Sequence, residues 1–226
     1  VLDIVSRSPA TARFLATLLA LRFVSDSPPP ALVERAAATF TRSDGDIRET
    51  VRTILTSPEF FSHAAYRTKV KSPFELVVSA LRAVGAAPDT TRRTAQIIAK
   101  LGQPLYLHRD PNGYPETGDA WINTGSILTR INFGLALAAG RVPGVSLAAW
   151  ERQQGLDTLP RDAQANGVIR AILGGEVSPN TRRVLESGVN PLRSAAPDSA
   201  SRAPMTPPGL ERIVGLALGA PEFQRR

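Results

Sequence analysis

The stretch LGQPLYLHRDPNGYPETGDAWINTGSILTRINFGLAL, from Leu101 to Leu137, decides how the rest of the chain is read. It opens on the end of one helix, passes through a loop rich in Pro, Gly, Asp and Asn, and closes in a second helix that starts behind Trp121. Asn123 is a good N-cap for that helix. Ile127, Leu128, Ile131 and Leu135 recur at helical spacing and predict its core stripe, and Gly140 and Pro143 stop it near Ala139. With no convincing strand pattern anywhere, the fold class predicted is all-α: a multi-helix bundle with one long structured loop (about 104–122).

Working outward, the same chemistry recurs. Ser8 and Pro9 start a helix over 8–24 whose Phe14, Leu15, Leu18, Leu19 and Leu21 predict a wide, buried apolar face. Helices follow over about 30–40 (Leu32, Val33 and Ala36 inward) and 47–55. Between them Asp44-Gly45-Asp46 reads as a turn plus N-cap, because the further ligands of a calcium loop are missing. Ser57-Pro58-Glu59-Phe60 predicts a short helix start. Ser72-Pro73-Phe74-Glu75 is a capping box opening a helix with Phe74, Val77, Val78, Leu81 and Val84 inward. The next begins at Thr90 or Thr91 and places Ile97, Ile98 and Leu101 on its apolar face. Three shorter helices are predicted over 147–153, 161–174 and 179–187, and a last one over 209–218. Asn190 to Pro208, rich in Pro, Ser and Ala, reads as an irregular excursion (about 190–208). The Pro-Glu-Phe at 58–60 returns at 221–223, in each case behind an apolar helix; helix-start chemistry accounts for the echo, with a duplicated helix pair as the alternative.

Composition narrows the function classes. There is no cysteine, which removes disulfide frameworks, Cys-based zinc sites and thiol nucleophiles. His63 and His108 lie far apart, so no His-rich metal site is expected. The net charge is +7 with 27 basic residues, of which only Lys69, Lys71 and Lys100 are lysines. The excess is concentrated in residues 65–143, with 10 basic and 5 acidic groups, but no basic run exceeds two and aromatics are 6%; nucleic acid is not expected as a partner. The apolar run around 14–24 is interrupted by Arg22 and falls short of the ~20 residues of a transmembrane helix. No nucleophile elbow, phosphate loop or dinucleotide fingerprint occurs, and no cofactor or metal is expected.

The segment from Arg67 to Ala86, LGQPLY (101–106), NGYPETGDAWINTGSILTRINF (112–133), the early SPATARFLATLLALRFVSDSPPPALVERAAATF, GDIRETVRTILTSPEFF and the ending IVGLALGAPEFQRR together resemble the bacterial DUF1800 family, whose function is unknown. The resemblance spans nearly the whole chain. It implies a helical protein of about twice this length, of which 1–226 would be a single all-helical region from the C-terminal half. It also implies a periplasmic or secreted location and a co-exported, DUF1501-like partner, with the N-terminal half of the same chain as a second neighbour. One departure is Gly113-Tyr114-Pro115, where the family pattern has Gly-Trp-Pro.

The candidate binding surface is His108, Asp110, Tyr114, Glu116, Asp119, Trp121 and Arg130. An imidazole among three carboxylates could hold a divalent cation or act as an acid/base pair, and turn formers in a solvated loop is the plainer reading. Arg130, inside an apolar helix, could grip an anion; a structural pair with a loop acid such as Asp119 is favoured. Tyr114 and Trp121 are read as packing anchors. Glu75 is committed to its capping box, and Lys69 and Lys71 are expected on a solvated cationic face. The favoured function is a helical scaffold or binding module of an exported assembly; the alternative is a hydrolase acting on an anionic or polymeric substrate at the 106–133 surface.

Overall fold

The structure, a computed structural model, describes residues 1–188 and 209–226. The excursion expected over about 190–208 therefore lies outside the described residues. Those described contain eleven α-helices, one 3-10 turn, no strand and a single isolated antiparallel bridge between Val70 and Arg225. The fold is all-α, and the chain divides into two compact units.

Unit 1 comprises Val1–Val70, Pro115–Ala120 and Arg225–Arg226. It holds α1 (Leu2–Ser6), α2 (Pro9–Phe23), α3 (Pro30–Arg42) and α4 (Ile47–Leu55). Ser8 caps α2 by accepting the Ala10 amide, and Asp46 caps α4 by accepting those of Arg48 and Glu49. Asp44 and Gly45 both take positive φ, so Asp44-Gly45-Asp46 forms the expected turn and cap. The core of α2 differs from expectation. Ala12, Ala16 and Ala20 are buried against α3 and α4, whereas Phe14 is 62% and Leu18 40% exposed. α2 is apolar nearly all round, so hydrophobicity alone does not choose its inner face. Three alanines four residues apart let the backbones approach, and dense packing selects that face. Leu15 and Leu19 flank it, half-buried.

Unit 2 comprises Lys71–Tyr114 and Trp121–Gln224. Its helices are α5 (Pro73–Ala83), α6 (Arg93–Lys100), α7 (Thr124–Ala138), α8 (Leu147–Gln153), α9 (Arg161–Leu173), α10 (Pro179–Ser187) and α11 (Leu210–Gly219). Both halves of the Ser72–Glu75 capping box form, and Asn123 caps α7 through a reciprocal box with Ser126. α5 buries Leu76, Val77, Ala80 and Val84, while Phe74 is turned out. α6 starts at Arg93, later than the expected threonines, because the Asp89 carboxylate collects the Thr91 hydroxyl and amide ahead of the helix and those of Thr94 in its first turn. Those hydroxyl bonds, then the amide bonds, hold the Asp89 carboxyl well below the usual range.

The centre of unit 2 is α11, which buries every residue from Ile213 to Leu218 and packs on α7, α9 and α10. Its closest partner is α7, along a glycine seam. A Cβ placed on Gly134 would stand 2.8 Å from the Gly215 carbonyl oxygen and 3.1 Å from Leu218 Cβ. One on Gly215 would stand 2.8 Å from Leu135 Cδ2 and 3.0 Å from Leu135 Cα. Of the predicted stripe of α7, Ile131 and Leu135 lie half-buried against α11, while Ile127 and Leu128 are 41% and 48% exposed; Arg130, Phe133, Gly134, Leu137 and Ala138 are the buried residues.

The two Pro-Glu-Phe segments start no helix in the described structure; each is a turn. Each nevertheless closes a similar series: a helix, a second helix with Pro at its first position, a third helix, then Pro-Glu-Phe. The series is α2, α3, α4 in unit 1 and α9, α10, α11 in unit 2. In both, the glutamate reaches the second helix. Glu59 accepts from Arg35 of α3 at 2.7 Å, and Glu222 accepts the Ser178 amide and the Thr181 hydroxyl at the start of α10. The two are used differently, Glu59 by a side chain within α3 and Glu222 by the first turn of α10, so the echo shares the order of its elements and not its contacts.

Candidate binding surface

In unit 2 the loop after α6 is built on aromatic rings. The His108 and Tyr114 rings lie 4.4 Å apart between centroids, and those of Tyr114 and Trp121 5.9 Å apart. The Tyr114 hydroxyl donates to the Pro104 carbonyl at 2.5 Å, drawing the two arms of the loop together. Trp121 is buried, and its carbonyl accepts the Ser126 hydroxyl, joining the ring series to the first turn of α7. Tyr114 and Trp121 thus anchor packing, as expected. Asp110 lies 3.9 Å from His108 Nε2, beyond hydrogen-bond length.

At the tip of this loop Leu107 donates its amide to the Pro104 carbonyl, closing a turn. Tyr106 within it adopts φ 62°, a left-handed conformation that costs a non-glycine residue about 1–3 kcal/mol. Its side chain is fully exposed, and Leu107 is 72% exposed. Sequence reading passed over both, although an aromatic beside an aliphatic at a proline-started turn is a visible signal.

Arg130 is 2% exposed, the largest fully buried side chain of the described chain. Its guanidinium donates to the Lys71 carbonyl at 2.9 Å and to Gln224 Oε1 at 3.0 Å, and Nε has no partner. Burial lowers its pKa, although a guanidinium keeps its proton at neutral pH. Within unit 2 Arg130 thus clasps the Lys71 backbone and the Gln224 side chain, and within unit 1 Asp119 accepts from Thr117 and from the Ala120 amide, which lower its pKa.

Glu116 and Asp119 belong to unit 1, in the Pro115–Ala120 segment. Glu116 pairs with Arg22 at 3.1 Å, both groups being about half exposed. A buried ion pair fixes this segment. Lys69, 3% exposed, holds Asp26 Oδ1 at 2.5 Å and the Glu116 carbonyl at 3.1 Å, while Asp26 Oδ2 accepts the Gly118 amide at 2.7 Å. A Cβ on Gly118 would stand 2.8 Å from Val70 Cγ2, so glycine is required where the loop meets the chain. Lys69 is thus not on the solvated cationic face expected for it, and Lys71 stands over the Phe223 ring at 3.8 Å. Asp26 was missed because 43 residues separate it from Lys69 and no local pattern links them. Replacing Asp26 with Ala strands a buried ammonium and releases Gly118; a loss of about 2 kcal/mol is expected in urea unfolding, tempered by the exposed third of the Asp26 side chain.

Among the described residues no group of three or more His, Asp or Glu is placed to hold a metal ion, and no helix is long and apolar enough to cross a membrane. One family's sequence pattern matches residues 1–225. The chain belongs to the DUF1800 family. That family is described as a protein of unknown function. No curated protein and no solved structure matches the chain. In this DUF1800 member Tyr114 meets two rings, those of His108 and Trp121, and donates one hydrogen bond, to Pro104. A tryptophan likewise offers a ring and one donor.

Proposed function

We propose that this DUF1800 chain is a helical scaffold or binding module of a bacterial exported assembly, periplasmic or secreted, and that it engages a co-exported DUF1501-like protein. The observation that carries the reading is the Pro104–Leu107 turn, which holds a fully exposed Tyr106 in a left-handed conformation beside an exposed Leu107. Strain of this kind persists where the surroundings impose it, and it clusters at ligand clamps. The polar tips behind the turn are directed to the protein itself: Tyr114 to Pro104, and Arg130 to Lys71 and Gln224. The loop is therefore a braced platform with an aromatic and an aliphatic side chain on its outer edge, and aromatic anchors of this type dominate protein interfaces.

The Tyr106→Gly variant tests this directly. Glycine suits the φ of 62°, so thermal unfolding should shift by no more than about 1 kcal/mol in equivalent stability. Capture of the DUF1501-like partner from envelope fractions should fall at least tenfold, the weight of an interface anchor worth about 2 kcal/mol. Undiminished capture by a folded variant would overturn the assignment.

A further inference from the structure

Unit 1 carries a second candidate site, independent of the loop that supports the partner-binding reading. A cavity of about 460 Å³ opens beside the end of α2, bounded by Phe23, Phe60, Phe61 and Tyr66. Phe61 is 75%, Tyr66 57% and Phe23 39% exposed, so three rings stand unburied around one hollow. The charged side chains lining it are all cationic: Arg67, Lys69 and Arg226. Among the described residues no Asp or Glu side chain lines it.

Two details show that the cationic side is built into the fold. Arg67 takes φ 52°, a left-handed conformation usually left to glycine, and this places its guanidinium 5.2 Å from the centre of the Tyr66 ring. Lys69 is held from behind by Asp26 and the Glu116 carbonyl, which take two of the three donors of its ammonium. Lys69 and Arg226 are also fixed through the backbone, the Arg226 amide donating to the Lys69 carbonyl at 2.8 Å and the Lys69 amide to the Arg226 carbonyl at 3.3 Å.

We infer that this cavity binds a small amphipathic anion: an aromatic or aliphatic body seated among the four rings, with a carboxylate facing Arg67 and Lys69. The volume lies in the range of about 300–1,000 Å³ typical of small-molecule sites, whereas a protein partner would have to cover about 800 Å² of each surface. The rings supply the desolvated contact, and the guanidinium supplies a charge-assisted hydrogen bond that a neutral ligand does not use.

The test is a pair of probes with one skeleton, 4-phenylbutyrate and 4-phenylbutanol, titrated into the 15N-labelled full chain and followed by amide chemical shifts. Phenylbutyrate should move the amides of Phe60 to Lys69 and bind about tenfold more tightly than the alcohol, as one charged hydrogen bond predicts. Arg67→Gln should remove that preference and leave the alcohol's affinity unchanged, and Phe61→Ala should weaken both probes. Both side chains lie at the rim, and circular dichroism will show that each variant is folded. Equal binding of acid and alcohol, shifts centred elsewhere, or no saturable shift with either probe would overturn the inference.

Discussion

Gly134→Val should destabilise the protein by about 3 kcal/mol in urea or thermal unfolding. The new side chain begins with a Cβ only 2.8 Å from the Gly215 carbonyl oxygen and 3.3 Å from the Gly219 amide nitrogen. Both are backbone atoms, so no rotamer change relieves the clash, and α7 and α11 must separate. Overpacking of a core typically costs about 1–3 kcal/mol, and valine sits at the top of that range because the obstacle is main chain in the buried Ile213–Leu218 stretch of α11. Gly134→Ala separates two contributions. Alanine gains about 1 kcal/mol of helix propensity over glycine but meets the same carbonyl, so a net loss is still expected, smaller than for valine. A stabilised alanine variant would mean that the seam tolerates a methyl group and that α11 can slide.

Arg130→Ala should cost about 4 kcal/mol by the same measurement. The substitution removes a side chain that is 2% exposed, leaving a cavity, and withdraws hydrogen bonds from the Lys71 carbonyl and from Gln224. Large-to-small core changes cost about 2–5 kcal/mol, and each stranded polar partner adds about 1–3 kcal/mol unless another donor reaches it. The Gln224 amide group already donates to the Leu218 carbonyl at 2.9 Å, which holds the side chain in place and leaves its Oε1 without the Arg130 donor. Arg130→Met should lose roughly half as much, because it refills the volume and removes the buried charge along with its unpartnered Nε. Equal losses for Ala and Met would assign the whole effect to hydrogen bonding.

Helix starts were the most legible part of the fold. Ser8, Asp46, Ser72 and Asn123 each cap the helix they were expected to cap, since a cap is a local contract between a side chain and amides two or three residues on. Helix faces were less legible. In α2 and α7 the large aliphatics were read inward; Leu15, Leu19, Ile131 and Leu135 do pack on the cores, but Phe14, Leu18, Ile127 and Leu128 are exposed, and Ala12, Ala16, Ala20 and Gly134 take the closest-packed positions. Hydrophobicity ranks leucine above alanine and glycine, but close approach of two backbones reverses that order, and the partner helix is not visible in the local sequence. The candidate surface divided in the same way. Tyr114 and Trp121 were found as anchors because proline and glycine around an aromatic mark a structured loop. The partners of Arg130 and Lys69 were not found, because Gln224 and Asp26 lie 94 and 43 residues away.

The glycine seam also bears on the order in which the chain acquires structure. The helices of unit 1 that share a core follow one another directly, so most of its core contacts close short loops and form early. Gly134 and Gly215 are about 80 residues apart, so the centre of unit 2 is completed only by a late, long-range docking event. During synthesis α7 emerges well before α11, and its bare glycine face, with the charge of Arg130 beside it, waits without its cover. Phe133 and Leu137 on the same face stay uncovered for as long, so the wait leaves apolar area open until the backbone that fits Gly134 arrives.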